Sequence, residues 1–345
     1  MNRTRWRPRF GLKLFFVFVT LCAVVCATFV PNLVRARREA RALEQIQILD
    51  PIHYFDYQID SKSDEHDSDK TSEEPIPPGP EILRRWFGEN TFAKVEYLGV
   101  YQNLIHKENQ KLTKSLQYRN ALQKISELRE LKELVFYGCE NIEDIQMISK
   151  LTKLEVLNLH DCGCQSLTPL ANLHELRELN LQGVQASNLI AISNLQKLTQ
   201  LSLIGSNMED HSCLPQLRSL RQLKISNTDN LEWDWLKDMD QLEELHMMCS
   251  QITELPSLTK LQDLKKLDIR YCWKLDTSGP LIDLKGLTHL WIGYGTPLQI
   301  FDNLEQLTNL EYVAVPRGEL PSERVAELRK NMPQVRFAVF SGMYD

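Results

Sequence analysis

The sequence predicts an α/β solenoid, a curved stack of short repeats preceded by one transmembrane helix. A parallel sheet would line the concave side of the stack, and turns or 3₁₀ segments its convex side. Three observations predict this class. Leucines recur every 22 or 23 residues between Leu131 and Leu310, each begins the pattern L-x-x-L-x-L, and an uncharged run of 17 residues lies near the start of the chain. A fixed period of this length is the signature of a repeat architecture.

The repeat pattern follows from the geometry of a short strand. The L-x-L part places two leucines on one face, and later apolar residues at a spacing of three suit a tight 3₁₀ return. One unit cannot enclose its own leucines, so neighbouring units must stack. Nine units begin at Leu131, Leu154, Leu176, Leu198, Leu220, Leu242, Leu264, Leu287 and Leu310.

The units "LKELVF", "LEVLNL", "LRELNL" and "LTHLWI" resemble leucine-rich repeats of the short, bacterial internalin-like class. This resemblance covers residues 128–320 and implies a horseshoe-like solenoid. The order of a basic start, one apolar segment, an acidic gap and repeats more loosely resembles membrane-anchored repeat proteins of planctomycete-type bacteria.

The uncharged run, Leu14 to Val30, predicts the transmembrane helix. Its 17 residues span about 25 Å, at the short end for a hydrocarbon core of about 30 Å. Five basic residues precede it, so we expect a cytoplasmic N-terminus and an exported repeat domain on the periplasmic side. An alternative is a signal peptide cleaved after Ala27, which would yield a secreted protein. The five basic residues that precede the uncharged run are Arg3, Arg5, Arg7, Arg9 and Lys13.

Composition divides the rest of the chain. The stretch 59–80 holds seven acidic residues against two lysines and ends in prolines, so it predicts a disordered linker. The predicted divisions are a basic tail and anchor (1–34), a juxtamembrane helix and strand (35–58), the linker (59–80), an N-terminal cap with a helical insertion (81–127), about nine repeats (128–320) and a C-terminal cap (321–345).

The stretch "NLHDCGCQ", residues 158–165, concentrates His, Asp and two Cys. The repeat phase places Cys162 and Cys164 at inward positions, where a thiol acts as a small hydrophobe. Two cysteines without a second pair do not make a tetrahedral metal site, so we expect no metal. A disulfide between Cys139 and Cys162 is an alternative, because they occupy one column on adjacent rungs, about 5 Å apart.

No catalytic motif appears in the sequence, so we expect neither enzyme activity nor a cofactor. A net charge of −6 gives no support for nucleic-acid binding, which uses a clustered basic face.

The predicted concave face changes character along the solenoid. Its first rungs carry small polar residues, whereas its later rungs carry aromatic, basic and other large side chains of the kinds that dominate binding hot spots. The candidate binding residues are Lys224, His246, Met248, Asp268, Arg270, Tyr271, Trp291, Tyr294 and Tyr312. We therefore expect a membrane-anchored protein that binds a protein or another macromolecule through this face. A structural envelope scaffold without a dedicated ligand is the alternative, and an enzyme a more distant one.

Overall fold

In the computed structural model, the repeats stack into one curved sheet. The described residues are 12–49, 52–55, 58, 77–78, 81, 84–85, 90, 93–101, 116–139, 142, 145–186, 188–206, 210–226, 233–248, 252–255, 257–270, 272, 275, 279–294, 301 and 304–340. Tyr271 and nearly all of the predicted linker lie outside them.

The sheet has 12 strands, hydrogen-bonded in the order in which they occur in the chain. The first strand is antiparallel to the second, and all later pairs are parallel. This topology confirms the predicted leucine-rich repeat solenoid. The strands are β1 Ile52–Phe55, β2 Val95–Tyr101, β3 Glu133–Tyr137, β4 Val156–His160, β5 Glu178–Asn180, β6 Gln200–Leu203, β7 Gln222–Ser226, β8 Glu244–Met248, β9 Lys266–Ile269, β10 His289–Ile292, β11 Tyr312–Pro316 and β12 Arg336–Phe340.

The convex side of the repeats consists of turns and 3₁₀ segments. A unit of 22 residues leaves too little chain for a long return helix after its strand. The segments are Gln146–Lys150, Thr168–Leu170, Leu189–Ile192, Leu214–Gln216, Asp234–Asp238, Gly279–Asp283 and Leu304–Gln306. Between sheet and 3₁₀ segments lies one continuous core, in which the repeat leucines are almost fully buried.

The chain turns sharply where the early strands end, through a residue in the left-handed conformation. Gly138, Gly183 and Gly205 occupy this corner, and the non-glycine Asp161 has a φ of 51°. Asp tolerates this region better than most residues. The φ of 72° favours glycine at position 183, and a Cβ there would also displace the flexible carboxylate of Asp161, whose Oδ1 would lie 2.0 Å away.

Helices lie at both ends of the solenoid. The helix α1, Leu12–Ile46, buries Ala42 and Ile46 in the core near α2, Leu116–Lys124. Arg35 on α1 donates to the Ala93 carbonyl at 3.0 Å. At the other end, α3, Ser322–Asn331, packs beside the last strand, β12.

The predicted transmembrane segment finds no support in the structure. Among the residues that the structure describes, no helix has the length and apolar character needed to cross a membrane.

Candidate functional site

Strand register aligns the outward side chains of the concave face in columns. Lys224 pairs with His246, His246 with Asp268, and Asp268 with Trp291. In the next column Lys266 pairs with His289, and His289 with Tyr312. The candidates therefore meet on β7 to β11, in the C-terminal half of the sheet.

Asp268 lies at the centre of this region and is only 1 % exposed. Its Oδ1 accepts from the backbone N–H of Arg270 at 3.1 Å, and its Oδ2 accepts from Nη2 of Arg270 at 3.0 Å. Nδ1 of His246 lies 3.3 Å from the same Oδ2. The sequence predicted an outward-facing Asp268 available to a partner, and the structure corrects this. Arg270 and His246 fold over the carboxylate, so it positions these two side chains instead.

Hydrogen bonds from its neighbours keep the buried carboxyl of Asp268 ionised. Burial on its own raises the pKa of this carboxyl, but the hydrogen bonds from His246 and Arg270 together hold the pKa below its usual range. The carboxylate is therefore charged at neutral pH, and the guanidinium of Arg270 is held in a fixed orientation.

Glu244 extends this network to the neighbouring column. Its carboxylate accepts from the Lys266 ammonium and from the side-chain amide of Gln222. Partial burial raises the pKa of the Glu244 carboxyl, and these two contacts more than offset that effect, so its pKa is lowered. Glu244 Oε2 also lies 3.8 Å from Nε2 of His246.

Three aromatic rings lie beside the charged network. The His289 and Trp291 rings are stacked with centroids 5.8 Å apart, and Tyr312 lies 5.7 Å from His289 and 5.8 Å from Trp291. All three side chains are partly exposed. We call His246, Arg270, His289, Trp291 and Tyr312 the C-terminal patch.

Gly293 allows the aromatic strand to approach the charged one. A Cβ at this position would lie 1.8 Å from the carbonyl oxygen of Arg270. Backbone cannot yield at that distance, so the geometry around Arg270 requires glycine here.

The other predicted residues surround the patch. Lys224 and Met248 are partly exposed on β7 and β8, and Tyr294 makes an edge contact with Phe340 at 6.0 Å. His289 was missing from the prediction. Its position in the column of Tyr312 was the available signal, because every residue of that column faces the concave side.

The cysteines of the early rungs are core residues. Cys139, Cys162 and Cys164 are at most 2 % exposed, as the repeat phase predicted. Cys139 and Cys162 are free thiols, so the alternative of a disulfide between them is not realised in this structure. The Cys162 thiol donates to the Phe136 carbonyl at 3.6 Å. In the described part of the chain, no cluster of three or more His, Cys, Asp or Glu side chains has the arrangement of a metal site.

The comparison with known protein families agrees with this architecture. Residues 130–279 match the family described as a leucine-rich repeat region. No curated protein matches the chain, and the looser resemblance to planctomycete-type proteins is not confirmed.

Among solved structures, internalin C2 of Listeria monocytogenes is 20% identical, with 64% of this chain and 80% of that chain covered and a TM-score of 0.41. Internalin F of the same organism is 18% identical over 78% of this chain and 97% of that chain, with a TM-score of 0.40. A leucine-rich repeat protein of Leptospira interrogans is 14% identical over 78% and 94%, with a TM-score of 0.37.

Proposed function

We propose that this protein binds another protein through the C-terminal patch of its concave face. The observation that carries the proposal is the contiguity of Trp291, Tyr312 and His289 with an arginine held in place by a buried carboxylate. Trp, Tyr and Arg are the residues most enriched in binding hot spots.

The fixed orientation of Arg270 supports this proposal energetically. A free arginine side chain loses rotamer freedom when it is ordered in an interface, at about 0.5–1.5 kcal/mol. Here Asp268 already orders the guanidinium, while 24% of the side chain remains exposed. A partner carboxylate or backbone carbonyl would therefore meet a preorganised donor beside an aromatic surface.

The location of the protein is a second part of the proposal. The run from Leu14 to Val30 and the basic residues before it support a membrane anchor with the repeat domain exported. This part rests on the sequence alone. Alkaline extraction of membranes, with reporter fusions at the C-terminus, tests it. Release of the protein by alkali would contradict anchoring, and a mature chain lacking residues 1–27 would favour the secreted alternative.

The patch is tested by crosslinking in native extracts and identification of the captured proteins. Trp291→Ala with Tyr312→Ala should lower the recovery of the partner at least tenfold without unfolding the domain, as circular dichroism would show. Gln200→Ala, an exposed concave residue outside the patch, is the matched control and should leave recovery unchanged. Equal capture by all variants would contradict the proposal and favour a scaffold without a dedicated ligand.

A further inference from the structure

The N-terminal half of the concave face carries a second surface with different chemistry. Tyr101, Tyr137 and His160 form a row on successive rungs, with ring centroids 6.4 Å and 4.4 Å apart. Tyr101 and Tyr137 are 44% and 46% exposed. We call these three residues the aromatic row.

A cleft of 260 Å³, lined by both polar and aliphatic residues, lies beside the aromatic row. Gln182 occupies the rung after His160 and lines this cleft, with Asn158 and Asn180 beside it. This volume lies just below the range of about 300–1,000 Å³ that is usual for small-ligand sites. We call this space the amide cleft.

Hydrogen bonds fix the orientation of two amides in the cleft. Oδ1 of Asn158 accepts from the backbone N–H of His160 at 2.9 Å, and Oδ1 of Asn180 accepts from that of Gln182 at 2.9 Å. Because each oxygen is engaged, each Nδ2 remains as a donor for a ligand. Adjacent parallel strands place these two donors about 4.8 Å apart.

The charges around the amide cleft balance. Glu178 and Lys224 are its charged lining residues, and the Glu178 carboxylate accepts from the Gln200 side chain at 3.3 Å. Within the described residues, no hydrogen bond occupies the side chains of Gln182 and Ser202, which provide further donors and acceptors. A neutral ligand with many hydroxyl groups matches this lining better than an anion does.

We propose that the amide cleft and the aromatic row bind a neutral oligosaccharide. Sugar hydroxyls accept from the Nδ2 groups of Asn158 and Asn180 and donate to the side-chain oxygens of Gln182 and Ser202. The C–H face of one sugar ring packs on the ring of Tyr137. Tyrosine suits such a contact, because its ring packs against an apolar surface while its hydroxyl stays in water. A peptide is the less favoured occupant, because the amide cleft offers no deep apolar pocket for an anchoring side chain.

Calorimetric titration of the full chain tests this proposal, in a detergent without a sugar headgroup. The probes are neutral hexasaccharides of glucose, mannose and N-acetylglucosamine, a hexamer of galacturonic acid, and an uncharged proline-rich peptide. At least one neutral hexasaccharide should bind. Tyr137→Ala should weaken its affinity at least tenfold, and Tyr137→Trp should restore it by replacing the ring.

A second variant separates loss of the donors from loss of the fold. Asn158→Asp with Asn180→Asp keeps both side-chain oxygens that accept from the backbone N–H groups of His160 and Gln182 and removes both Nδ2 donors. Affinity should therefore fall at least tenfold while circular dichroism shows that the chain remains folded. Asn188→Asp is the matched control. Asn188 makes the same type of bond, to the N–H of Ile190, on the convex side, and its substitution should leave affinity unchanged.

The proposal is overturned if no neutral hexasaccharide binds, if the acidic hexamer or the peptide binds more tightly, or if the Tyr137 and Asn variants bind as the wild type does. Trp291→Ala with Tyr312→Ala should leave sugar affinity unchanged, and an equal loss there would place the sugar at the C-terminal patch instead. Failure of the protein-binding proposal would appear only in the crosslinking experiment.

Discussion

Replacement of Asp268 with asparagine removes the buried charge that orders Arg270 and His246. Asparagine retains one oxygen, which can still accept from the backbone N–H of Arg270. It loses the second oxygen, which lies 3.0 Å from Nη2 of Arg270 and 3.3 Å from Nδ1 of His246. Nε of Arg270 also lies 3.2 Å from this oxygen but keeps its contact with the retained oxygen at 3.1 Å. Hydrogen bonds to charged groups contribute about 1.5–3 kcal/mol each, so the two lost contacts set an upper limit of about 6 kcal/mol.

Solvent recovers part of this loss. The side chains of Arg270 and His246 are 24% and 18% exposed, so water can replace some of the missing contacts. We therefore expect Asp268→Asn to lower the free energy of unfolding by about 3 kcal/mol. Urea unfolding measures this change, when the curves of wild type and variant are fitted with the same dependence of the free energy of unfolding on urea concentration.

The pH dependence provides a second measurement on the same variant. Because the pKa of Asp268 is lowered in the folded state, its contribution to stability is present above the unfolded pKa of about 3.9 and is lost as pH falls through the folded value. The difference between wild type and Asp268→Asn should therefore shrink below about pH 4.

Asp263→Asn makes the same chemical change at an exposed position, and we expect it to alter stability by less than about 0.5 kcal/mol. Asp268 does not have this role if Asp268→Asn is as stable as the control, or if the stability deficit of Asp268→Asn persists unchanged at acidic pH.

Three further predictions concern other parts of the solenoid. Gly293→Ala should lower the unfolding midpoint far more than Gly318→Ala. The first Cβ meets backbone at 1.8 Å, whereas the second meets nothing within 4 Å and adds only the strain of a φ of 89°, about 1 kcal/mol. Equal midpoints would contradict this. Burial raises the pKa of Glu39 to about 7. The contribution of this carboxyl to the free energy of unfolding is therefore fully present below about pH 4.5 and is lost as pH rises through 7, and the loss amounts to about 3 kcal/mol. Glu39→Gln should flatten the pH dependence of hydrogen exchange in α1, and a slope unchanged from wild type would contradict the assignment. Burial raises the pKa of Cys164 and Cys213 to about 11, so both thiols should resist a disulfide reagent at pH 8 until urea unfolds the chain. Rapid labelling of the native protein at either cysteine would count against this.

The repeat architecture was predictable because every unit carries the same leucine pattern. One leucine spacing determines which residues face the core, and the same phase correctly placed Cys162 and Cys164 inside. The left-handed corner had a readable signal too, since Gly138, Gly183 and Gly205 share the column of Asp161.

The contacts between rungs were not predictable from the period. Asp268 occupies a column that faces the concave side in an average rung, and only its particular neighbours, Arg270 and His246, cover it. The contact between Arg35 and the Ala93 carbonyl joins residues 58 positions apart, and a local pattern carries no information on such a pair. Periodicity reports on the face of the sheet to which a residue belongs, and not on the conformation that its side chain adopts there.

Site-specific photocrosslinking in native membranes tests whether the C-terminal patch binds a protein. A photoreactive amino acid replaces Tyr312 in the C-terminal patch or Ile190 on the convex side, which is 59% exposed. We expect one discrete protein adduct from position 312, lost with Trp291→Ala, and none from position 190. Identical adducts from both positions, or no protein adduct from position 312, would contradict it.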